Sequence, residues 1–252
     1  MNNAFDISDF NTKVFFIGYN KTATSTIHKL FAKNKIKSLH SRRWGLKKHQ
    51  VFSDTGEILD PKVKYDYESY LHNYPASLCV LNTRGLDGWL RSRCRHYYWR
   101  GAEPGKIDWG YPVDRDMIKL WIRSRNEYYV NLFMYFSEYP TKLAIVDIDD
   151  ANWIKFLCDF LDLEPYTIWA NKSEVHGDLY TRDWGKREVT DIPADYLNLI
   201  EESIAGAYED LKIKDYTSSL LIKSLTPPHI YNKIYQSLPL FQNNVSVKLM
   251  TK

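Results

Sequence analysis

The sequence predicts an α/β fold, a three-layer sandwich around a mainly parallel sheet, and three observations predict it. Short apolar runs rich in β-branched and aromatic residues recur at 14–17, 77–82 and 143–146, as strands buried on both faces do. Between them lie longer segments whose apolar residues repeat at helical spacing. Glycine, proline and polar clusters punctuate the joins. Strands alternating with helices are what crossover connections between parallel strands require.

Each element follows from its own residues. Val14, Phe15, Phe16 and Ile17 form the first strand and Gly18 ends it. Ile27, Leu30 and Phe31 then set the face of the first helix, and 36–40 reads as a second short strand ending at His40. Residues 41–76 are polar and mixed, with a helix expected inside 65–74 before Pro75 breaks it. The third expected strand is 77–82. A turn at Arg84-Gly85-Leu86-Asp87 leads into a helix carrying Leu86, Trp89 and Leu90 on one side. Residues 101–112 are a loop rich in Gly and Pro. A long helix is expected over 114–137, from Ile118, Trp121, Ile122, Tyr129, Leu132, Phe133 and Phe136. The fourth expected strand, 143–146, precedes a helix capped by Asp149 or Asp150 and stopped before Pro165. Residues 166–191 read as a loop and 194–212 as a further helix. The simplest organisation is one domain over 1–215, with 216–252 an extension that packs on it or is partly loose.

Composition narrows the function classes. At 252 residues, 44% hydrophobic and 26% charged, the chain has the balance of a globular protein with a substantial core. A net charge of +3 makes no bulk case for nucleic acid, so none is expected as a partner. No apolar run reaches the ~20 residues that span a bilayer, and residues 1–13 lack the pattern of a signal peptide. Cys79, Cys94 and Cys158 are odd in number and far apart, which argues for reduced thiols and a cytoplasmic location rather than disulfides or a metal knuckle.

Two constellations carry chemistry. The first is Asn20-Lys21-Thr22-Ala23-Thr24-Ser25-Thr26, lying between a buried strand and a helix. The start of a helix has unpaired N–H groups and a dipole that favours an anion. Lys21 adds a charge, and the hydroxyls of Thr22, Thr24 and Ser25 add donors. The nucleoside-triphosphate loop G-x-x-x-x-G-K-S/T differs, because Lys21 comes three residues after Gly18 and no second glycine follows. The second is Arg84 at the end of a strand with Ser92 eight residues on. Ligands of α/β sheets bind outside the carboxyl ends of strands, where an arginine fork and a serine can cage a phosphate.

Together these stretches resemble the sulfotransferases that use PAPS (3′-phosphoadenosine 5′-phosphosulfate), whose fold is P-loop-like. The loop Lys21 to Thr26 is similar to the family's 5′-phosphosulfate loop, of the form Pro-Lys-Ser/Thr-Gly-Thr-Thr/Ser. Arg84 and Ser92 match the spacing of its 3′-phosphate motif, with Asp87 near the acid of that turn. The similarity extends more loosely to about residue 165. Asn20 replaces the family's proline, Ala23 its loop glycine and Thr26 an aromatic; Gly85-Leu86 replaces a turn containing proline. Alanine adopts a positive φ poorly, so the loop is expected to differ slightly from the family's. Trp184, within a segment that faintly echoes the family's C-terminal lid, is a candidate for adenine stacking.

The resemblance implies sulfuryl transfer from PAPS to a hydroxyl or amine, leaving PAP. Lys21 would stabilise the leaving phosphate, and Lys21, Thr22, Ala23, Thr24, Ser25 and Thr26 would hold the 5′-phosphosulfate. Arg84 and Ser92 would hold the 3′-phosphate. His40, at the end of the second strand, is the candidate general base, with His96, His49 and His72 as weaker alternatives. No metal is required. Arg42, Arg43, Lys47, Lys48 and His49 form either a solvated basic loop or a lip that attracts an anion. Trp44, Trp99, Trp109 and Tyr111 could line a cleft for a small-molecule or carbohydrate acceptor. Two rival readings are a small-molecule kinase with a degenerate loop, with Asp147 as its metal-holding acid, and a non-catalytic nucleotide-binding protein of the same fold.

Overall fold

Six strands pair into one sheet in the order β2-β3-β1-β4-β5-β6. The computed structural model describes residues 11–40, 48–53, 67–101, 113–165, 192–219, 222–237 and 247–249. The strands are β1 (Val14–Phe16), β2 (Ser38–Leu39), β3 (Val51–Phe52), β4 (Leu78–Thr83), β5 (Leu143–Asp147) and β6 (Val247–Leu249). The first five run parallel, and β6 joins β5 antiparallel. The helices are α1 (Thr24–Lys33), α2 (Tyr67–Asn73), α3 (Leu86–Gly101), α4 (Arg115–Phe136), α5 (Trp153–Leu161), α6 (Ala194–Asp210) and α7 (Pro228–Ser237).

Strand alternation divides the apolar residues between two cores. Val14, Phe16, Val80 and Val146 pack with Ile27, Leu30 and Phe31 of α1 and with Trp153, Leu157 and Leu161 of α5. Phe15, Cys79, Leu81 and Ile145 face the other way, against residues of α2, α3, α4, α6 and α7. The fold is therefore α/β with helices on both faces of the sheet. No helix among the described residues is long and apolar enough to cross a membrane. All three cysteines are free and buried; burial pushes Cys94 up to about 12 and Cys158 up to about 11.

Two expectations need correction, and the residues after 215 add elements of their own. β3 was not expected: it contributes only Val51 and Phe52, too short a run to stand out, yet it lies between β2 and β1. α5 is not capped by Asp149 or Asp150. It begins at Trp153 after Asn152, and Asp150 instead accepts the Asn152 amide at 2.8 Å. The residues after 215 include α7, whose first residue is Pro228 at a position that needs no N–H, and β6, which widens the sheet. The loop expected at 101–112 loses Gly101 to α3, and its remainder, like the loop expected at 166–191, lies outside the described residues.

Candidate functional site

The chain leaves β1 for β2 and β3 on one side, then crosses to β4 and β5 on the other. The carboxyl ends of β1 and β4 thus flank the point where the winding reverses, the place where α/β sheets bind ligands. Both sequence constellations sit there, one following each strand.

The loop after β1 is held from three directions. Asn82 of β4 accepts the Gly18 amide at 2.9 Å through its side-chain oxygen, and its amide nitrogen donates to Thr22 O and Oγ1, each at 2.7 Å. Gly18 is obligatory, since a Cβ there would lie 1.8 Å from the Asn82 carbonyl oxygen. From α3, Trp89 Nε1 donates to Asn20 O at 3.0 Å and Arg93 to Asn20 Oδ1 at 2.7 Å. Proline, the residue expected at position 20 from the resemblance, could not offer that side-chain oxygen. From α4, Tyr128 donates to Ile17 O at 2.7 Å, while Tyr19 donates to Ser124 O at 2.8 Å. Burial raises the Tyr19 phenol well above its ordinary value, so it stays a donor.

The backbone of the loop is left-handed at two residues without glycine. Lys21 has φ 70° and Ala23 φ 63°, on either side of Thr22. Ala23 thus does not avoid the positive φ; the fixed neighbours force it. Alternating backbone hands turn successive N–H groups into a concavity suited to an anion. Ala23 is also the residue before α1, and no side chain caps the helix start. The hydroxyls divide. Thr22 is fully buried, donates to Tyr19 O and accepts from Asn82, so its hydroxyl serves the loop and not a ligand. Thr26 is also buried. Thr24 is buried at 8% exposure and Ser25 is half-buried, and the hydroxyls of both lie within reach of His40.

His40, immediately after β2, reaches the mouth of the loop. Its Nε2 lies 3.1 Å from Thr24 Oγ1 and 3.3 Å from Ser25 Oγ. Behind it stands His28 of α1, ring centroids 5.9 Å apart, with His28 Nδ1 at 2.9 Å from Ser38 Oγ. Burial first, then the neighbouring His40, His49 and Lys29, lower the His28 pKa and favour its neutral form.

Arg84 follows β4. Its guanidinium lies over Gly88 of α3, where a Cβ would be 3.0 Å from one Nη. Ser92 is one helical turn beyond Gly88, on the same face. Nε lies 3.4 Å from Asp149 Oδ1, and no Arg84 Nη is hydrogen-bonded among the described residues. Asp149 Oδ2 accepts the Gly85 amide at 2.8 Å. Below, the buried Arg125 of α4 donates from one Nη to Arg84 O at 2.7 Å and to Ser219 O at 2.9 Å, its plane between Trp89 and Tyr129. Residues after α6 lie across this turn: Tyr216 O accepts the Asp87 amide at 3.1 Å, and Thr83 Oγ1 donates to Ser219 O. Asp87 itself pairs with Arg91 at 2.8 Å.

The structure therefore brings Lys21, Thr24, Ser25 and His40 to one loop mouth and Arg84 to the adjacent strand tip, with α3 touching both. His96 and His72 lie on α3 and α2. Trp44, Trp109, Tyr111, Trp184, Arg42, Arg43 and Lys47 fall outside the described residues, as does the side chain of Trp99. Sequence reasoning missed Asn82, Asn20, Asp149 and Arg125. Asn82 alone left a signal, as a polar residue inside an apolar strand. Among the described residues no group of three or more His, Cys, Asp or Glu side chains is placed to hold a metal ion. Comparison of the chain with family models, curated proteins and solved structures finds no match.

Proposed function

We propose that this chain is a sulfotransferase, moving a sulfuryl group from PAPS to a hydroxyl or amine of a small-molecule or carbohydrate acceptor. The observation that carries the reading is the meeting of His40 with the first turn of α1, 3.1 Å from Thr24, at the mouth of an uncapped, lysine-bearing loop. An anion cradle and a proton acceptor at one mouth are what transfer of an anionic group to an alcohol needs. The second support is Arg84, whose fork lies on the α3 face that also carries Ser92.

PAPS, when bound, supplies the sulfuryl group and a phosphate as leaving group. The amides around Ala23 and the hydroxyls of Thr24 and Ser25 hold the 5′-phosphosulfate, while Arg84 and Ser92 hold the 3′-phosphate that distinguishes this donor from ATP. His40 accepts the proton of the acceptor as its oxygen bonds to sulfur. Lys21 meets the charge on the 5′-phosphate as the sulfur–oxygen bond breaks and its electron pair leaves with PAP. General-base help of this kind contributes roughly 10²–10⁴-fold. The free thiols Cys79, Cys94 and Cys158 support a reducing compartment such as the cytoplasm.

Thermal shift with PAP, ATP and ATP–Mg²⁺ tests the assignment. PAP is expected to raise the melting temperature without metal; stabilisation by ATP–Mg²⁺ alone would make the chain a kinase instead. Lys21→Ala is expected to abolish sulfate transfer from PAPS yet retain part of the PAP binding, and Arg84→Ala to weaken PAP itself. PAP stabilisation without any transfer to an extract of potential acceptors would identify a non-catalytic nucleotide-binding protein.

A further inference from the structure

At the tip of β4 a carboxylate of the chain already uses what an incoming phosphate needs. Asp149, from the turn between β5 and α5, accepts the Gly85 amide with one oxygen and lies 3.4 Å from Arg84 Nε with the other. An amide at a helix start and the edge of a guanidinium are anion-binding groups. These are the only side-chain partners of Asp149 among the described residues, and its side chain is 46% exposed. Arg84 Nε is buried without a hydrogen bond, so its 3.4 Å approach to Asp149 is an ion pair alone, and the Nη groups also have no hydrogen-bonded partner among the described residues.

Resting on the sulfuryl-transfer reading, we propose that Asp149 is an internal counter-anion of the Arg84 seat and sets how tightly the chain holds a 3′-phosphate. In the free protein it keeps the half-buried guanidinium paired and in place. When a 3′-phosphate takes the Nη fork, the carboxylate is a like charge beside it and competes for the same arginine. The consequence is weaker donor binding and faster loss of PAP than the arginine alone would give. A nucleotide with only a 5′-phosphate engages the loop after β1 and does not feel this charge.

Calorimetric titration of PAP and of adenosine 5′-monophosphate into wild type, Asp149→Asn and Asp150→Asn tests the idea. Asparagine keeps an oxygen for the Gly85 amide and removes the charge; Asp149→Ser, also neutral, replaces it if the first variant does not fold. Asp149→Asn is expected to bind PAP about tenfold tighter, with adenosine 5′-monophosphate unchanged and Asp150→Asn close to wild type. PAP binding that is equal or weaker in Asp149→Asn overturns the inference and leaves the sulfotransferase reading standing. So does an equal gain for the 5′-monophosphate, or the same gain in Asp150→Asn. Failure of wild type to bind PAP overturns both.

Discussion

Ala23 holds φ 63° where glycine would rest without cost. A left-handed L-residue costs about 1–2 kcal/mol, while glycine at the same place returns roughly 0.5–1 kcal/mol of that through the freedom of the unfolded chain. Strain wins, so Ala23→Gly is expected to raise the melting temperature by about 2 °C, read by calorimetry; a fall would mean that the methyl group packs usefully. Gly88 gives a second separation of stability from binding. Its replacement by alanine favours the helix by roughly 0.5–1 kcal/mol, and the new Cβ would meet the movable end of Arg84 at 3.0 Å. Gly88→Ala is expected to melt no lower than wild type while binding PAP several-fold more weakly, as a shifted arginine fork loses its bidentate grip. Unchanged PAP affinity would detach Arg84 from the site.

Among elements, β4 does the positioning. Its Asn82 is wholly buried and satisfies three groups of the β1–α1 loop, so the loop's shape is dictated by the neighbouring strand more than by its own residues. Asn82→Ala leaves the Gly18 amide and the Thr22 carbonyl and hydroxyl without that partner in a dry setting, at a cost of about 3 kcal/mol. A matching drop in the denaturation midpoint is expected, along with loss of PAP binding in the folded fraction. If binding survived, the loop would hold its form without β4. This coupling also explains how a loop without glycine at those positions holds a left-handed backbone at Lys21 and Ala23.

For the whole molecule, stability should depend on pH through His28. Burial and three neighbouring basic groups lower its pKa in the fold below the ordinary value, so between the two values the unfolded chain binds the proton and the folded chain does not. Stability is then complete above about pH 6.5 and falls as pH drops through the lower, folded value. Melting temperatures taken between about pH 8 and pH 5 should decline for wild type and decline less for His28→Gln. Identical slopes would remove His28 as the cause.

The local pattern of residues was enough to reveal five of the features that matter: the runs that became β1, β4 and β5, the loop bearing Lys21 between strand and helix, and His40 at a strand end. These are legible because a buried strand and an amphipathic helix each impose a period on their own residues. β3 and β6 were not legible, being too short for any period and given their places by strands distant in the chain. Nor could the sequence pair Asn82 with Thr22, Asn20 with Arg93, or Asp149 with Arg84. Those contacts join residues 60, 73 and 65 positions apart, respectively, and only the packing of strands and helices around one sheet edge decides which polar groups meet.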